Sequence, residues 1–241
     1  MRVALCLFGH FRSFDRCWDN LLKHVLEPYQ PDVFAQAWID SMGNWLPRSS
    51  TPDPRNHPGF NIGSPAPSPA YVRAIMDNLK PVDIHLDHYY LHDERFQYIM
   101  AQLNDFHHPE ATHAPKSAIS MNWTRHVAIS MKQLHEHRLG QKYDRVICTR
   151  WDIDHTLPIN ITQFDPNVLT FAKGGGDHPG DTWACGTSDL MDAWGAQFDG
   201  IPELVANRTM NLGPHEWQTA WFDHKQIPWA NRADIGASVL R

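Results

Sequence analysis

The chain has 241 residues, of which 42% are hydrophobic and 20% are charged, and its formal net charge at pH 7 is −6. This length favours one α/β domain with an insertion over two domains, and no apolar run approaches the ~18 residues that cross a membrane. A membrane-spanning protein and a disordered tail are excluded, and the acidic balance argues against nucleic acid as a partner.

The first predicted element is a buried strand from Val3 to Phe8. Gly9-His10-Phe11-Arg12 follows it where a secretory signal would have a small-residue cleavage site, so a cytoplasmic location is expected. Of the four cysteines, Cys6 and Cys148 fall in predicted strands. None of the four has the spacing of a disulfide framework or a zinc cluster.

Alternating strands and helices follow along the chain. A stretch with several prolines, 47–69, separates them and is predicted to be a surface loop or lid. Strands separated by helices indicate a single α/β/α sandwich with a mainly parallel central sheet. Helices are predicted over 14–25, 69–79, 93–103, 119–139, 188–198, 202–206 and 214–224, and the further strands over 32–38, 82–86, 143–151, 168–172 and 182–185.

The strand over 143–151 leads into an Asp-x-Asp pattern. The two-residue period of a strand places Arg150, Asp152 and Asp154 on one face, at the carboxyl end where α/β sheets bind ligands. Carboxylates bind Mg²⁺ or Mn²⁺ and leave coordination positions open for phosphate oxygens, so the pattern favours a metal-diphosphate site. Because such short patterns also occur as ordinary strand-end and turn residues, that alternative stays open.

The end of the first strand offers a second candidate. Gly9 permits a tight turn, and Arg12 could bind a diphosphate bidentately near a helix N-terminus. A glycine turn with a solvated arginine is the alternative interpretation. The G-x-G-x-x-G and G-x-x-x-x-G-K-[ST] patterns are both absent from the sequence, which disfavours a dinucleotide-binding dehydrogenase and a P-loop kinase.

Taken in chain order, segments 4–12, 31–38, 143–152 and 181–191 resemble nucleotide-sugar glycosyltransferases of the GT-A type. More narrowly, they are similar to a group of bacterial and viral polysaccharide glycosyltransferase-like proteins. The resemblance implies one GT-A-like, Rossmann-like domain, with a nucleotide-sugar half at about 1–155 and an acceptor half at about 156–241. It implies a metal-dependent glycosyltransferase that moves a sugar from a nucleotide-diphosphate sugar to a hydroxyl of a glycan or related acceptor.

The resemblance also implies roles for single residues. An inverting enzyme requires a carboxylate base on the acceptor side, for which Asp181 is the first candidate and Glu216 the second. A retaining mechanism requires no such base, and the stereochemistry stays open. The implied nucleotide-sugar-binding residues are Gly9, His10, Arg12, Trp38, Arg150 and Asp152, and the implied ligands of Mn²⁺ or Mg²⁺ are Asp152, Asp154 and His215.

Two other functions remain as alternatives. A sugar-1-phosphate nucleotidyltransferase would use a similar sheet, but its G-G-x-G-x-R loop is not matched by residues 9–12. A non-catalytic carbohydrate-binding relative would use aromatic faces for stacking on sugar rings. Tryptophans at predicted strand ends and helix starts are candidates for such stacking: Trp38, Trp123, Trp151, Trp183 and Trp217.

Overall fold

The computed structural model describes residues 1–40, 66–104, 115–173, 178–206 and 214–240. The Pro-rich stretch 47–69 lies outside these ranges up to residue 65. The helices are α1 (Phe14–Leu21), which continues through a π-helical segment (Leu22–Leu26) into α2 (Glu27–Tyr29), then α3 (Pro69–Leu79), α4 (Asp93–Asn104), α5 (Pro115–Leu139), α6 (Ser188–Gly195), α7 (Gln197–Ala206) and α8 (Pro214–Lys225). The strands are β1 (Val3–Phe8), β2 (Asp32–Trp38), β3 (Asp83–Asp87), β4 (Arg145–Arg150), β5 (Ile153–His155), β6 (Leu169–Ala172), β7 (Trp183–Gly186), β8 (Trp229–Arg232) and β9 (Ala237–Val239).

Within the described ranges, seven strands form the central sheet, in the order β3-β2-β1-β4-β7-β6-β8. The strand pairs β2–β3, β1–β2, β1–β4 and β6–β8 are parallel, and β7 is antiparallel to both of its neighbours. Six of the seven strands therefore run in one direction. The predicted α/β architecture with a mainly parallel sheet and helices around it is confirmed, while the division of the chain near residue 155 stays a prediction.

The two faces of the sheet are buried by different helices, and β1 shows why. Its residues Val3, Leu5 and Leu7 belong to a core cluster that includes residues of α1 and α3, whereas Ala4, Cys6 and Phe8 belong to a second cluster with residues of α5. A strand points successive side chains to opposite faces, so a continuous apolar run is buried on both. This is why the apolar segment 3–8 lies in the middle of the sheet.

The last part of the chain completes the fold in a way the sequence did not indicate. β8 joins the edge of the central sheet, and β5 pairs with β9 in a separate two-stranded antiparallel sheet. The helix predicted over 14–25 extends farther, through the π-helical segment to Tyr29. Among the described ranges, no helix has the length and apolar character required to cross a bilayer.

Candidate functional site

The candidate site starts at the turn that follows β1. Gly9 has a φ of 100° and Arg12 a φ of 37°, so both lie in the left-handed region, which is unstrained only for glycine. The Gly9 carbonyl accepts a hydrogen bond from the backbone N–H of Trp38 at 2.9 Å. This bond fixes the turn against the end of β2, at the carboxyl edge of the sheet.

Two arginines share the carboxylate of Asp152. Arg150 donates from Nε to Oδ1 at 2.8 Å and from Nη2 to Oδ2 at 2.5 Å, and Arg12 donates from Nη1 to Oδ2 at 3.0 Å. The Asp152 side chain is 1% exposed, that of Arg150 19% and that of Arg12 32%. A buried carboxylate therefore holds two partly exposed cations side by side. We refer to Arg12, Arg150 and Asp152 as the Arg–Asp cluster.

The strand geometry expected for 150–154 is wrong. β4 ends at Arg150, Trp151 and Asp152 form a turn, and Asp154 lies in β5. The indole of Trp151, the first residue of this turn, is 1% exposed. Arg150 and Asp152 therefore meet through side-chain hydrogen bonds and not through the two-residue period of one strand. The Asp154 carboxylate instead accepts a hydrogen bond from Asn20 Nδ2 at 2.6 Å.

Two of the three predicted metal ligands, Asp152 and Asp154, do not fit a divalent ion as they are placed. Both oxygens of Asp152 already accept hydrogen bonds from guanidinium groups, and Asp154 is bound to Asn20 of α1. Within the described part of the chain, no three His, Cys, Asp or Glu side chains are grouped to hold a metal. His215 lies in the first turn of α8, and its side chain is outside the described ones. These residues as metal ligands stay a prediction.

His10 lies beside the cluster without adding charge to it. Burial, reinforced by the positive charges of Arg12 and Arg150, lowers the pKa of His10 to about 3. The imidazole is therefore neutral at neutral pH. The two guanidinium groups outnumber the one carboxylate of the cluster, and a second carboxylate, that of Asp40, lines the adjoining cavity. The cluster is thus a local site of attraction for anions.

An open cavity of about 280 Å³ adjoins the cluster. Its walls come from the turn after β1, the end of β2 and the first turn of α3. Its volume is close to the lower end of the range of about 300–1,000 Å³ that is typical of small-molecule sites. Three predicted binding residues meet here, within a lining that consists of His10, Phe11, Arg12, Trp38, Asp40, Ala66, Pro67, Ser68 and Tyr71.

Asp40 and Tyr71 are polar lining residues that sequence reasoning missed. The Asp40 carboxylate accepts a hydrogen bond from the Tyr89 backbone N–H at 2.5 Å and lies 2.6 Å from His88 Nδ1. Asp40 follows β2 almost directly, so its strand-end position was an available signal. Tyr71 belongs to α3, beyond the Pro-rich stretch, and the sequence around it indicates no role in binding.

Four of the five tryptophans predicted to stack on sugars are core residues, and the fifth, Trp123, is partly buried. Trp151, Trp183 and Trp217 are at most 1% exposed, so the stacking role predicted for these three is wrong. Trp38 lines the cavity, yet it is also 1% exposed, and its Nε1 donates to Ser120 Oγ at 3.0 Å. Its ring therefore supports the wall of the cavity and offers almost no face to a ligand.

The candidate base Asp181 lies at the same edge of the sheet as the cluster. It precedes Thr182, whose carbonyl accepts a hydrogen bond from the Arg150 backbone N–H at 3.0 Å. The second candidate, Glu216, lies in the first turn of α8. Gln218 of the same helix donates to the Gly180 carbonyl at 2.9 Å, so α8 contacts the segment that carries Asp181.

A buried cation near Asp181 was not predicted. Arg125 of α5 is 1% exposed and donates to Gln197 Oε1 at 2.7 Å. Burial lowers its pKa to about 10, and the negative charge of Asp181 acts in the opposite direction. Arg125 lies within a helix that the sequence marks only by its apolar spacing, so no local pattern identified it.

Comparisons with known proteins give a similarity of fold. No protein-family model matches the sequence, and no curated protein matches it. Among solved structures, the chain is similar to the apo form of mouse xyloside xylosyltransferase 1, with a TM-score of 0.44 and 7% sequence identity over 96% of this chain and 84% of that one. No residue role is transferred from a similarity at this level.

Proposed function

We propose that the protein is a glycosyltransferase that moves a sugar from a nucleotide-diphosphate sugar to a hydroxyl group of a glycan or related acceptor. The observation that carries this proposal is the Arg–Asp cluster, which lies beside a cavity of about 280 Å³ at the carboxyl edge of the sheet. The metal dependence implied by the sequence resemblance is not part of the proposal, because the described side chains do not fit a divalent ion.

The cluster and the cavity offer complementary chemistry to such a donor. A diphosphate diester carries two negative charges, and guanidinium groups bind phosphate oxygens through paired N–H donors. The cavity next to Arg12 would take the nucleoside. Its wall includes the rings of Phe11 and Tyr71, whose centroids are 6.2 Å apart in an edge-to-face arrangement. The Asp40 carboxylate could accept a hydrogen bond from a ribose hydroxyl or a base N–H.

Each charged residue of the Arg–Asp cluster has a role in the proposed transfer reaction. The bond from the anomeric carbon to the diphosphate oxygen breaks, and its electron pair stays on the diphosphate. The acceptor oxygen forms the new bond to the anomeric carbon and loses its proton. Arg12 and Arg150 would stabilise the negative charge that develops on the leaving diphosphate, and preorganised charges of this kind lower a barrier most effectively. Asp152 keeps both groups in place before the substrate binds.

In an inverting reaction, a carboxylate on the acceptor side would take the proton of the acceptor hydroxyl. Asp181 is the preferred base, because it lies at the edge where Arg150 is anchored to β7 through Thr182. Glu216 of α8 is the alternative. If the reaction retains configuration, neither carboxylate is required, so substitution of each one also tests the stereochemical course.

The test is a binding panel with UDP, GDP, dTDP, CDP and ADP, followed by each matching nucleotide sugar in an assay for release of the nucleoside diphosphate. We expect at least one diphosphate to raise the melting temperature and to bind in calorimetry. Arg12→Gln should weaken its binding at least about tenfold, which equals about 1.4 kcal/mol.

The matched control is Arg73→Gln, because Arg73 is an exposed arginine of α3, the helix that contributes Tyr71 to the cavity. This variant should bind the same nucleotide as the wild type does. The proposal fails if no nucleoside diphosphate binds, or if Arg12→Gln and Arg73→Gln weaken binding equally. Binding without any release of diphosphate from a donor, with or without a glycan acceptor, would instead favour the non-catalytic carbohydrate-binding alternative.

A further inference from the structure

We infer that Arg12 and Arg150 supply the positive charge that a divalent metal ion would otherwise supply to the donor diphosphate, and that Asp152 binds these arginines and not a metal. The inference rests on the proposed function, since it concerns the same diphosphate. It departs from the expectation that the Asp-x-Asp pattern of the sequence is a metal site.

The first step of the argument is the state of the Asp152 carboxylate. Its two oxygens accept three charged hydrogen bonds, at 2.5, 2.8 and 3.0 Å, and the side chain is 1% exposed. An ionised carboxylate has about four lone-pair sites, and two guanidinium groups occupy three of them here. A divalent cation at this carboxylate would lie next to two positive charges that repel it.

The second step concerns Asp154, the other carboxylate of the pattern. It belongs to β5, where it is paired with Ser238 of β9, and its Oδ1 accepts the hydrogen bond from Asn20. The turn at Trp151 and Asp152 separates it from the end of β4. The predicted metal site, in which Asp152 and Asp154 bind the same ion, requires both carboxylates to face that ion. In this protein the two carboxylates have different partners on different elements.

The third step is the charge that the cluster leaves for a ligand. A guanidinium group has five N–H donors, of which Arg150 directs two at Asp152, and Arg12 also donates to this carboxylate. The side chains of Arg12 and Arg150 are 32% and 19% exposed, so both reach the surface, and Arg12 lines the cavity. His10 is neutral and adds no positive charge. The positive charge at this point therefore comes from the two arginines. The charge compensation normally provided by a metal is thus built into the chain.

The experiment compares nucleotide binding with and without metal. The probe is the tightest-binding member of the panel UDP, GDP, dTDP, CDP and ADP, measured by calorimetry in excess EDTA and again with excess MnCl₂. We expect Kd in the two buffers to agree within about threefold, or less than about 0.7 kcal/mol. In EDTA, Arg12→Gln and Arg150→Gln should each weaken binding about tenfold or more, while Arg73→Gln should not.

Two aspartate variants separate the roles of the carboxylates by a measurement that does not depend on turnover. If both were metal ligands, Asp152→Asn and Asp154→Asn would each remove a gain in affinity that MnCl₂ gives to the wild type. We expect no such gain in the wild type, and no effect of Asp154→Asn on Kd in either buffer. Arg150→Lys, which keeps the charge, tests the same site if Arg150→Gln fails to fold.

The possible failures can be told apart. Binding that appears only with MnCl₂, or that tightens more than about tenfold with it, overturns the inference and leaves the proposed function standing. Loss of that metal-dependent binding in both aspartate variants would identify the predicted metal site after all. Absence of nucleotide binding in both buffers overturns the proposed function, and the inference with it.

Discussion

Substitution of His155 by glutamine should make the protein less sensitive to acid. His155 lies in β5 and is 1% exposed, and burial lowers its pKa to about 4 from an ordinary value of 6.5. The charge of Asp154 opposes this lowering of the pKa and that of His24 adds to it. Burial is the largest effect. The unfolded chain therefore binds a proton at this position near pH 6.5, whereas the folded protein binds it only near pH 4.

The sign and the magnitude follow from proton linkage. Between these two pH values the unfolded state holds more protons, so the free energy of unfolding falls as the pH falls. Each pH unit is worth about 1.36 kcal/mol, so His155 costs the wild type about 2 kcal/mol at pH 5 and about 3 kcal/mol at pH 4. Above pH 6.5 the imidazole is neutral in both states and the contribution is absent. Glutamine does not titrate, so the variant lacks this loss.

Urea unfolding at pH 7.5, 6, 5 and 4.5 measures the effect. The stability difference between the wild type and His155→Gln should change steadily in favour of the variant as the pH falls, whatever its value at pH 7.5. His137→Gln, in which an exposed histidine of α5 is replaced, should have the same pH dependence as the wild type. Parallel curves for the wild type and His155→Gln would refute the argument from burial.

Two further predictions concern a buried ion pair and a glycine that lies close to an indole ring. Lys132, whose side chain is 0% exposed, contacts Glu136 Oε2 at 2.8 Å, so Lys132→Met should cost about 3–5 kcal/mol in urea unfolding by leaving that carboxylate without its cation. Lys142→Met should cost less than about 1 kcal/mol because its side chain is 60% exposed, and equal losses in both variants would contradict this account. Gly200→Ala should cost about 1–3 kcal/mol, measured as a lower melting temperature, because a Cβ atom there overlaps the Trp221 indole. An unchanged melting temperature would mean that the indole moves freely.

The parts of the fold that could be predicted are those with strong local patterns. The apolar runs of β1, β2 and β4 are buried on both faces of the sheet, so hydrophobicity alone identifies them. The strands β5 and β9 have three residues each, and β8 is largely half-buried. Segments of this kind gain their structure from their pairing partners, and their own sequence carries little signal.

The parts of the site that could not be predicted depend on contacts between distant residues. Trp151 was assigned to a strand, but it and Asp152 form a turn, and Asp152 and Asp154 contact different residues. Arg12 and Asp152 are 140 residues apart in the chain, and their hydrogen bond decides whether that carboxylate is free to bind a ligand. A local Asp-x-Asp pattern contains no information about such a partner.

What the sequence did contain were two weak patterns whose meaning depends on the register of the sheet. β1 and β4 are adjacent and parallel, and Phe8 is paired with Arg150. The turn that carries Arg12 must therefore begin beside the residue at which β4 ends. A glycine turn followed by an arginine is unspecific alone, and so is an aspartate after a strand. Because parallel neighbouring strands end at the same edge, the two patterns meet in the Arg–Asp cluster, to which the first contributes Arg12 and the second Arg150 and Asp152.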